Sequence, residues 1–190
     1  MRKFVKGKEG YTLIEIVLVI VIIAVLAGIL IEPFRLGVKS YIGIETRADL
    51  TSQAREATMR MVRELRNIRK KADIPPASNI VCDTAGDEAT VSRIRFLDVQ
   101  NNDIKFYLSG SNTVQRMDMD TSTDNILADK VSSLQFRYFD GSNNELTPSP
   151  QLSVAQCDNV RRILVIMAMN EGTETVTMTG QAFLRDLRGL

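Results

Sequence analysis

The hydrophobic and polar positions of this 190-residue chain fall into three patterns, and the first lies near the N-terminus. Residues 13–31 are Leu, Ile, Val, Ala or Gly except for one acidic residue, Glu15. An α-helix of this length spans about 28 Å at ~1.5 Å per residue, close to the hydrocarbon thickness of a bilayer. A helix satisfies its own backbone hydrogen bonds in lipid and a lone strand does not. The pattern therefore predicts a transmembrane helix over residues 11–33.

The second pattern is a helical repeat that follows Pro33. This proline removes one backbone hydrogen bond, and we expect it to kink the helix. Farther along, apolar residues recur every three or four positions, which is typical of one face of an amphipathic helix. They are Leu50, Ala54, Ala57, Met61, Leu65 and Ile68. We predict that the helix continues over residues 34–73, loosened near Gly37 and Gly43, and ends before Pro75-Pro76.

The third pattern is an alternation of apolar and polar residues beyond Pro76, which is typical of β-strands. Ile94 and Phe96 alternate with arginines, and Leu134, Phe136 and Tyr138 share one face of a longer segment. Strands are predicted over residues 91–97, 104–108, 113–119, 131–139, 161–169 and 175–178. We therefore predict an α+β fold, in which a long N-terminal helix packs on an antiparallel β-sheet in a strand-rich head of residues 74–190.

Charges on the two sides of the apolar segment predict its orientation in a membrane. Four basic residues and one acidic residue precede it: Arg2, Lys3, Lys6, Lys8 and Glu9. Basic residues stay on the cytoplasmic side. We expect residues 1–10 to be cytoplasmic and the chain beyond Pro33 to lie across the membrane.

Three interpretations of the apolar segment remain open on this pattern. It is a plain membrane anchor, or it is a secretory signal peptide with a small-residue cleavage site at Val25-Leu26-Ala27. In the third interpretation Glu15 has a function, because an ionised carboxylate in an apolar span costs a few kcal/mol and normally has a partner. A position near the edge of the span, within reach of interfacial water, is the structural alternative for Glu15.

Residues 6–15 read Lys-Gly-Lys-Glu-Gly-Tyr-Thr-Leu-Ile-Glu, and they resemble the prepilin signature of type IV pilins and type II secretion pseudopilins. The resemblance implies cleavage between Gly10 and Tyr11 by a prepilin peptidase and N-methylation of the new Tyr11 amine. Tyr11 departs from the usual Phe. Glu15 falls at the fifth mature position, where the family carries an acidic residue that pairs with the terminal amine of a neighbouring subunit.

The resemblance also implies a function and a location. It implies a non-catalytic subunit in the bacterial inner membrane, with one pass, a cytoplasmic N-terminus and a periplasmic head. In residues 127–140, 160–163 and 183–187 the hydrophobic spacing is similar to that of J-type minor pseudopilins and PilW-type minor pilins. Such subunits gather at the filament tip and initiate assembly. The implied partners are other minor subunits, the major pilin or pseudopilin, the inner-membrane assembly platform and the peptidase.

Charge is segregated although the whole chain has a formal net charge of only +1. Residues 55–71 contain seven basic and two acidic residues, whereas residues 72–190 contain ten basic and sixteen acidic ones. A basic stem that docks an acidic head, in its own subunit or the next, explains this segregation. Binding of nucleic acid is the rival interpretation, and it is not favoured because no aromatic residues interleave with the arginines.

The two cysteines, Cys82 and Cys157, lie outside the membrane in this topology. The bacterial envelope oxidises thiols, so we expect a disulfide between them. It would close a loop of about 75 residues and stabilise the head by about 4 kcal/mol. Two buried free thiols are the alternative.

Several classes of catalytic or metal site are excluded or not favoured. The chain has no His, which excludes His-dependent triads and His-ligated zinc. It lacks the glycine-rich phosphate loop, the nucleophile elbow and paired-Cys motifs, so no enzyme and no cofactor is predicted. Acidic residues at Asp118, Asp120, Asp124 and Asp129, with Ser122, are spaced somewhat like a calcium loop. Thr123 stands where such a loop needs glycine, so we predict an acidic surface loop and no metal.

Overall fold

The structure, a computed structural model, describes residues 11–68, 80–82 and 89–184. Helix α1 covers Leu13–Arg66. The elements after it are β1 (Arg93–Leu97), β2 (Asp103–Leu108), β3 (Val114–Asp118), β4 (Thr123–Ala128), β5 (Val131–Phe139), β6 (Glu145–Leu146), α2 (Val154–Asn159), β7 (Arg162–Glu171) and β8 (Glu174–Phe183). The chain divides into two compact units, Met1–Glu45 and Thr46–Leu190. The predicted leader, the predicted helix end near Pro75-Pro76 and the residues after Leu184 lie outside the described residues.

The first unit contains the apolar part of α1. The helix runs without interruption through Pro33, Gly37 and Gly43, so the loosened stretch expected near the glycines does not form in the described helix. Propensity losses of about 1 kcal/mol at a glycine are small beside the many strong helix formers around it. The predicted kink at Pro33 remains a prediction.

The second unit contains the amphipathic part of α1. The predicted apolar face is confirmed, because all six of its residues are buried: Leu50, Ala54, Ala57, Met61, Leu65 and Ile68. Ile68 lies two residues beyond the helix end at Arg66 and forms an isolated bridge with Asp98. The helix therefore ends earlier than the predicted residue 73.

Four strands form an antiparallel meander in the order β1-β2-β3-β4. Ile94 pairs with Phe106 and Phe96 pairs with Ile104, so alternate residues of β1 and β2 share one buried face. The Phe96 and Phe106 rings lie 5.7 Å apart between centroids. The alternation predicted from the sequence for β1 is thus confirmed.

The other four strands form a second antiparallel sheet in the order β6-β5-β7-β8. Strand β5 buries Leu134, Phe136 and Tyr138 on one face, as predicted. The buried Tyr138 hydroxyl donates a hydrogen bond of 2.9 Å to the Thr90 carbonyl oxygen. Burial raises the pKa of Tyr138 far above its ordinary value, so this hydroxyl stays protonated and keeps its donor role.

Helix α1 and strand β8 approach each other most closely at Gly180. A Cβ atom at this position would lie 2.6 Å from the Cγ2 atoms of both Thr58 and Val62. Contacts this short do not occur between carbon atoms, so the residue opposite the helix has no side chain. Because Gly180 has no side chain, the amphipathic half of α1 can pack closely on the second sheet.

The α+β architecture is confirmed, with three differences in detail. The head has two four-stranded sheets where one sheet was predicted. Residues 123–128, predicted as part of an acidic loop, form strand β4 because they pair with β3. Strand β6 and helix α2 were not predicted, although Ser153 and Gln156 form a capping box at the start of α2.

A disulfide joins Cys82 to Cys157, as expected from the sequence. The Cα atoms of the two residues are 6.7 Å apart, and both side chains are buried. Cys157 lies in α2 and Cys82 follows the isolated bridge between Ile80 and Phe96. The bond therefore ties the connection after α1 to the connection between the strands of the second sheet.

Candidate functional site

The first candidate site is the beginning of α1. Gly10 lies outside the described residues, and Tyr11 is 80% exposed. The Thr12 carbonyl oxygen accepts hydrogen bonds from the backbone N–H groups of Glu15, at 3.1 Å, and Ile16, at 3.3 Å. Thr12 Oγ1 also accepts from the Glu15 N–H at 3.4 Å, so Thr12 caps the helix.

Glu15 lies in the first turn of α1, where its side chain is exposed. A carboxylate near a helix N-terminus interacts favourably with the helix dipole, which gives Glu15 a local role in the chain itself. Thr12 and Glu15 also have the spacing of a capping box. Besides the inter-subunit role that the resemblance implies, the structure thus gives Glu15 a role in starting the helix.

The apolar residues after Glu15 are not covered by any other described residues of the chain. The helix contains a segment with a mean hydropathy of 3.3, none of it buried, and it is long and apolar enough to cross a membrane. From Leu13 to Ile31 the large side chains are between roughly half and four-fifths exposed. Exposed apolar surface of this extent marks contact with lipid or with other proteins.

The second unit presents a polar contact between α1 and the head. Glu64 accepts a hydrogen bond of 2.8 Å from Arg116 in β3 and one of 3.2 Å from Arg60 on its own helix. The side chains of Glu64 and Arg116 are each less than one-fifth exposed. Within the described residues, the ion pair from α1 to the head thus uses an acidic helix residue and a basic head residue, opposite to the polarity expected from the net charges.

Other arginines of α1 line a groove beside strand β8. The groove has a volume of about 530 Å³. Its lining includes Arg55, Met59, Arg63 and Arg66 from the helix. Met178, Thr179 and Gln181 contribute from β8. The charge segregation in the sequence indicated the arginines, but no sequence signal indicated which strand would lie beside them.

The acidic residues considered as a calcium loop serve other roles. Asp118 accepts backbone hydrogen bonds from Asp120 and Thr121, both at 3.1 Å, and the bond from Thr121 lowers the pKa of Asp118. Asp124 instead accepts from the Tyr107 hydroxyl at 3.1 Å. In the part of the chain that the structure describes, no group of three or more acidic or Cys side chains is arranged to hold a metal ion.

The comparison with protein families supports the class of protein that the N-terminal features indicate. Residues 5–31 match the family model described as the prokaryotic N-terminal methylation motif. No curated protein matches the chain significantly. The motif indicates a type IV pilin-like prepilin that is processed by a peptidase. The match thus supports a relationship of the chain to the type IV pilin and pseudopilin family. The matched residues include Gly10, Tyr11 and Glu15 together with the exposed apolar helix.

Proposed function

We propose that this chain is a non-catalytic minor pilin or minor pseudopilin that assembles at the tip of a type IV pilus or type II secretion pseudopilus and initiates its assembly. Prepilin peptidase cleaves the chain between Gly10 and Tyr11, and the new amine of Tyr11 is methylated. The observation that carries the proposal is the coincidence of the methylation motif with one carboxylate, Glu15, at the start of an uncovered apolar helix.

Glu15 and the Tyr11 amine act together between subunits in this proposal. Cleavage leaves a positive charge at Tyr11, beside an apolar segment. An isolated buried charge costs several kcal/mol, whereas a buried pair recovers much of that cost. Glu15 of one subunit therefore neutralises the Tyr11 amine of its neighbour when the apolar helices pack side by side. The exposed positions of both residues in the single chain support this role, because both are accessible to a second subunit.

The proposed location follows from the same segment. Before assembly, the apolar helix anchors the chain in the bacterial inner membrane, with residues 1–10 cytoplasmic and the head periplasmic. After assembly, the helix lies in the filament core. The partners are other minor subunits, the major subunit, the assembly platform and the peptidase. The strand-rich head and its spacing over residues 127–140 support the J-type or PilW-type assignment within this proposal.

Processing of the full chain by prepilin peptidase tests the proposal. The chain is co-expressed with the enzyme in membranes and its mass is followed. We expect loss of residues 1–10 from the unmodified chain and no loss in a Gly10→Val variant. Gly7→Val is the matched control, because it alters a glycine in the same segment without changing the proposed cleavage site. Cleavage after Ala27, or equal processing of Gly10→Val and the control, would support an ordinary signal sequence on an envelope protein that is not assembled in a filament.

A further inference from the structure

Strand β8 is an edge of the second sheet and pairs with β7 alone among the described residues. Native proteins protect edge strands by making them short, by placing charges on them or by covering them. β8 has ten residues, and after Glu174 its sequence contains no charged residue up to Phe183. The strand is therefore long, its single charge lies at its first residue, and no other described strand pairs with its outer edge.

The other three edge strands described in the head each have at least one of these protections. Strand β6 has only two residues. Strand β1 carries Arg93 and Arg95, and the Arg95 carbonyl oxygen on its outer edge accepts a hydrogen bond from the Val81 N–H. Strand β4 carries Asp124. Strand β8 is the longest of the four described edge strands, and its one charge lies at its first residue, so it is the least protected edge and a partner strand would explain it.

The hydrogen bonds at the end of β8 show which backbone groups point outward. The Leu184 N–H donates to the Arg161 carbonyl oxygen at 2.8 Å, on the side of β7. The Gln181 carbonyl oxygen instead accepts from Arg66 Nη2 of α1, at 3.4 Å. Directions alternate along a strand, so the N–H and C=O groups of Thr177, Thr179 and Gln181 point away from β7.

The groove beside this edge indicates the charge of its occupant. Arg55 and Arg63 line it, both are exposed, and neither forms an ion pair with another described residue. The acidic residue Glu64 on the same helix already bonds to Arg60 and Arg116. Met59, which is 62% exposed, adds an apolar contact surface between the arginines. The occupant should therefore combine an extended backbone with acidic and apolar side chains.

We propose that strand β8 and the arginine-lined groove beside it bind an extended acidic segment of another polypeptide chain, which adds as a further strand to the second sheet. Backbone groups of Thr177, Thr179 and Gln181 pair with the segment, and Arg55 and Arg63 contact its carboxylates. Backbone bonds give such a contact its affinity, and side-chain pockets give it specificity. The inference deepens the proposed function and rests on it only for the source of the segment, a neighbouring filament subunit.

Binding of a defined peptide to the full chain in detergent tests the proposal. The probe is a fluorescein-labelled ten-residue peptide in which Asp and Val alternate. One control peptide replaces Asp by Lys, and a second keeps the sequence but methylates alternate backbone amides so that it cannot pair. Fluorescence anisotropy should show binding of the acidic peptide, weakened by salt, and at least about tenfold weaker binding of either control.

Two measurements locate the binding surface. Hydrogen exchange should slow at the amides of Thr177, Thr179 and Gln181 when the acidic peptide binds, because these amides gain acceptors. Arg63→Gln should weaken binding by about two- to fivefold, as expected for one partly exposed charge contact. Arg47→Gln is the matched control, because it removes an exposed arginine of α1 that does not line the groove.

The proposal is overturned if the acidic peptide does not bind, if either control peptide binds equally well, or if binding leaves the three amides unprotected. An equal effect of Arg63→Gln and Arg47→Gln would also overturn it. None of these results depends on cleavage at Gly10 or on Glu15. Failure of the peptide experiment therefore leaves the proposed function standing, and failure of the processing experiment leaves the binding surface standing.

Discussion

The two units of this chain differ in what covers their apolar side chains. In the described part of Met1–Glu45, every large apolar side chain is exposed, whereas the unit Thr46–Leu190 encloses a continuous core of aliphatic and aromatic side chains. The second unit is stabilised by its own packing, its disulfide and its hydrogen bonds. The first unit requires lipid or neighbouring helices to remove its surface from water. Substitutions should accordingly affect assembly in one unit and unfolding in the other.

The largest expected effect belongs to Glu15 in the first unit. Under the proposed function, Glu15→Gln leaves the Tyr11 amine of a neighbour unpaired in the filament core, and an uncompensated buried charge costs several kcal/mol. We expect the chain to insert in the membrane normally and its recovery in the filament fraction to fall by at least about tenfold. Glu32→Gln is the control, because Glu32 is exposed and its ion pair among the described residues is with Arg35 on the same helix, at 3.5 Å. Equal recovery of the two variants would contradict the pairing role.

Removal of the disulfide should have the next largest effect, and it should be confined to the second unit. A bond between residues 75 positions apart limits the unfolded chain. The double variant Cys82→Ser, Cys157→Ser should therefore lower the free energy of unfolding of the head by about 4 kcal/mol. Urea unfolding followed by near-UV circular dichroism measures the loss. A midpoint unchanged from that of the parent chain would show that the bond does not stabilise the head.

A smaller loss is expected where α1 meets β8. Gly180→Ala places a methyl group against Thr58 and Val62, and overpacking of this kind costs about 1–3 kcal/mol. Gly110→Ala provides the comparison, because nothing lies within 4 Å of its added Cβ. Thermal unfolding should separate the two variants. Identical melting temperatures would mean that the helix and strand adjust without loss.

The smallest effect is expected at an exposed ion pair, in comparison with a partly buried one. Glu64→Gln should lower the free energy of unfolding by about 1–3 kcal/mol, because Arg116 is largely buried and loses its charged acceptor. Glu145→Gln removes an exposed partner of Arg137 and should cost no more than about 1 kcal/mol. Denaturant unfolding of both variants gives the comparison. A loss at Glu145 as large as at Glu64 would count against the packing described for the helix.

Local patterns were enough to predict the helix and most strands. Burial of one face of an element produces a pattern that is visible within a few residues. The repeat from Leu50 to Leu65 and the alternation of Ile94 and Phe96 are such patterns. Strand β4 was missed because it is an edge whose side chains are mostly exposed, with Ile126 at 65%, so it has no apolar alternation.

The remaining features could not be predicted, because they depend on strands that pair or pack with distant parts of the chain. Strand β5 pairs with β7 and β6 and not with the preceding β4, so the division into two sheets depends on partners far apart in the chain. The candidate site at Tyr11 and Glu15 could be predicted because its residues lie close together in the sequence. The groove at Arg55 and Arg63 was not, because β8 lies more than a hundred residues away.

The central claim is that the apolar helix is retained in the mature subunit and begins with a charged, methylated amine. Tandem mass spectrometry of the N-terminal peptide from native filament material tests this claim most directly. The account predicts a peptide that starts with N-methylated Tyr11 and contains Glu15. A mature chain that starts after Ala27, or one that retains residues 1–10, would contradict it.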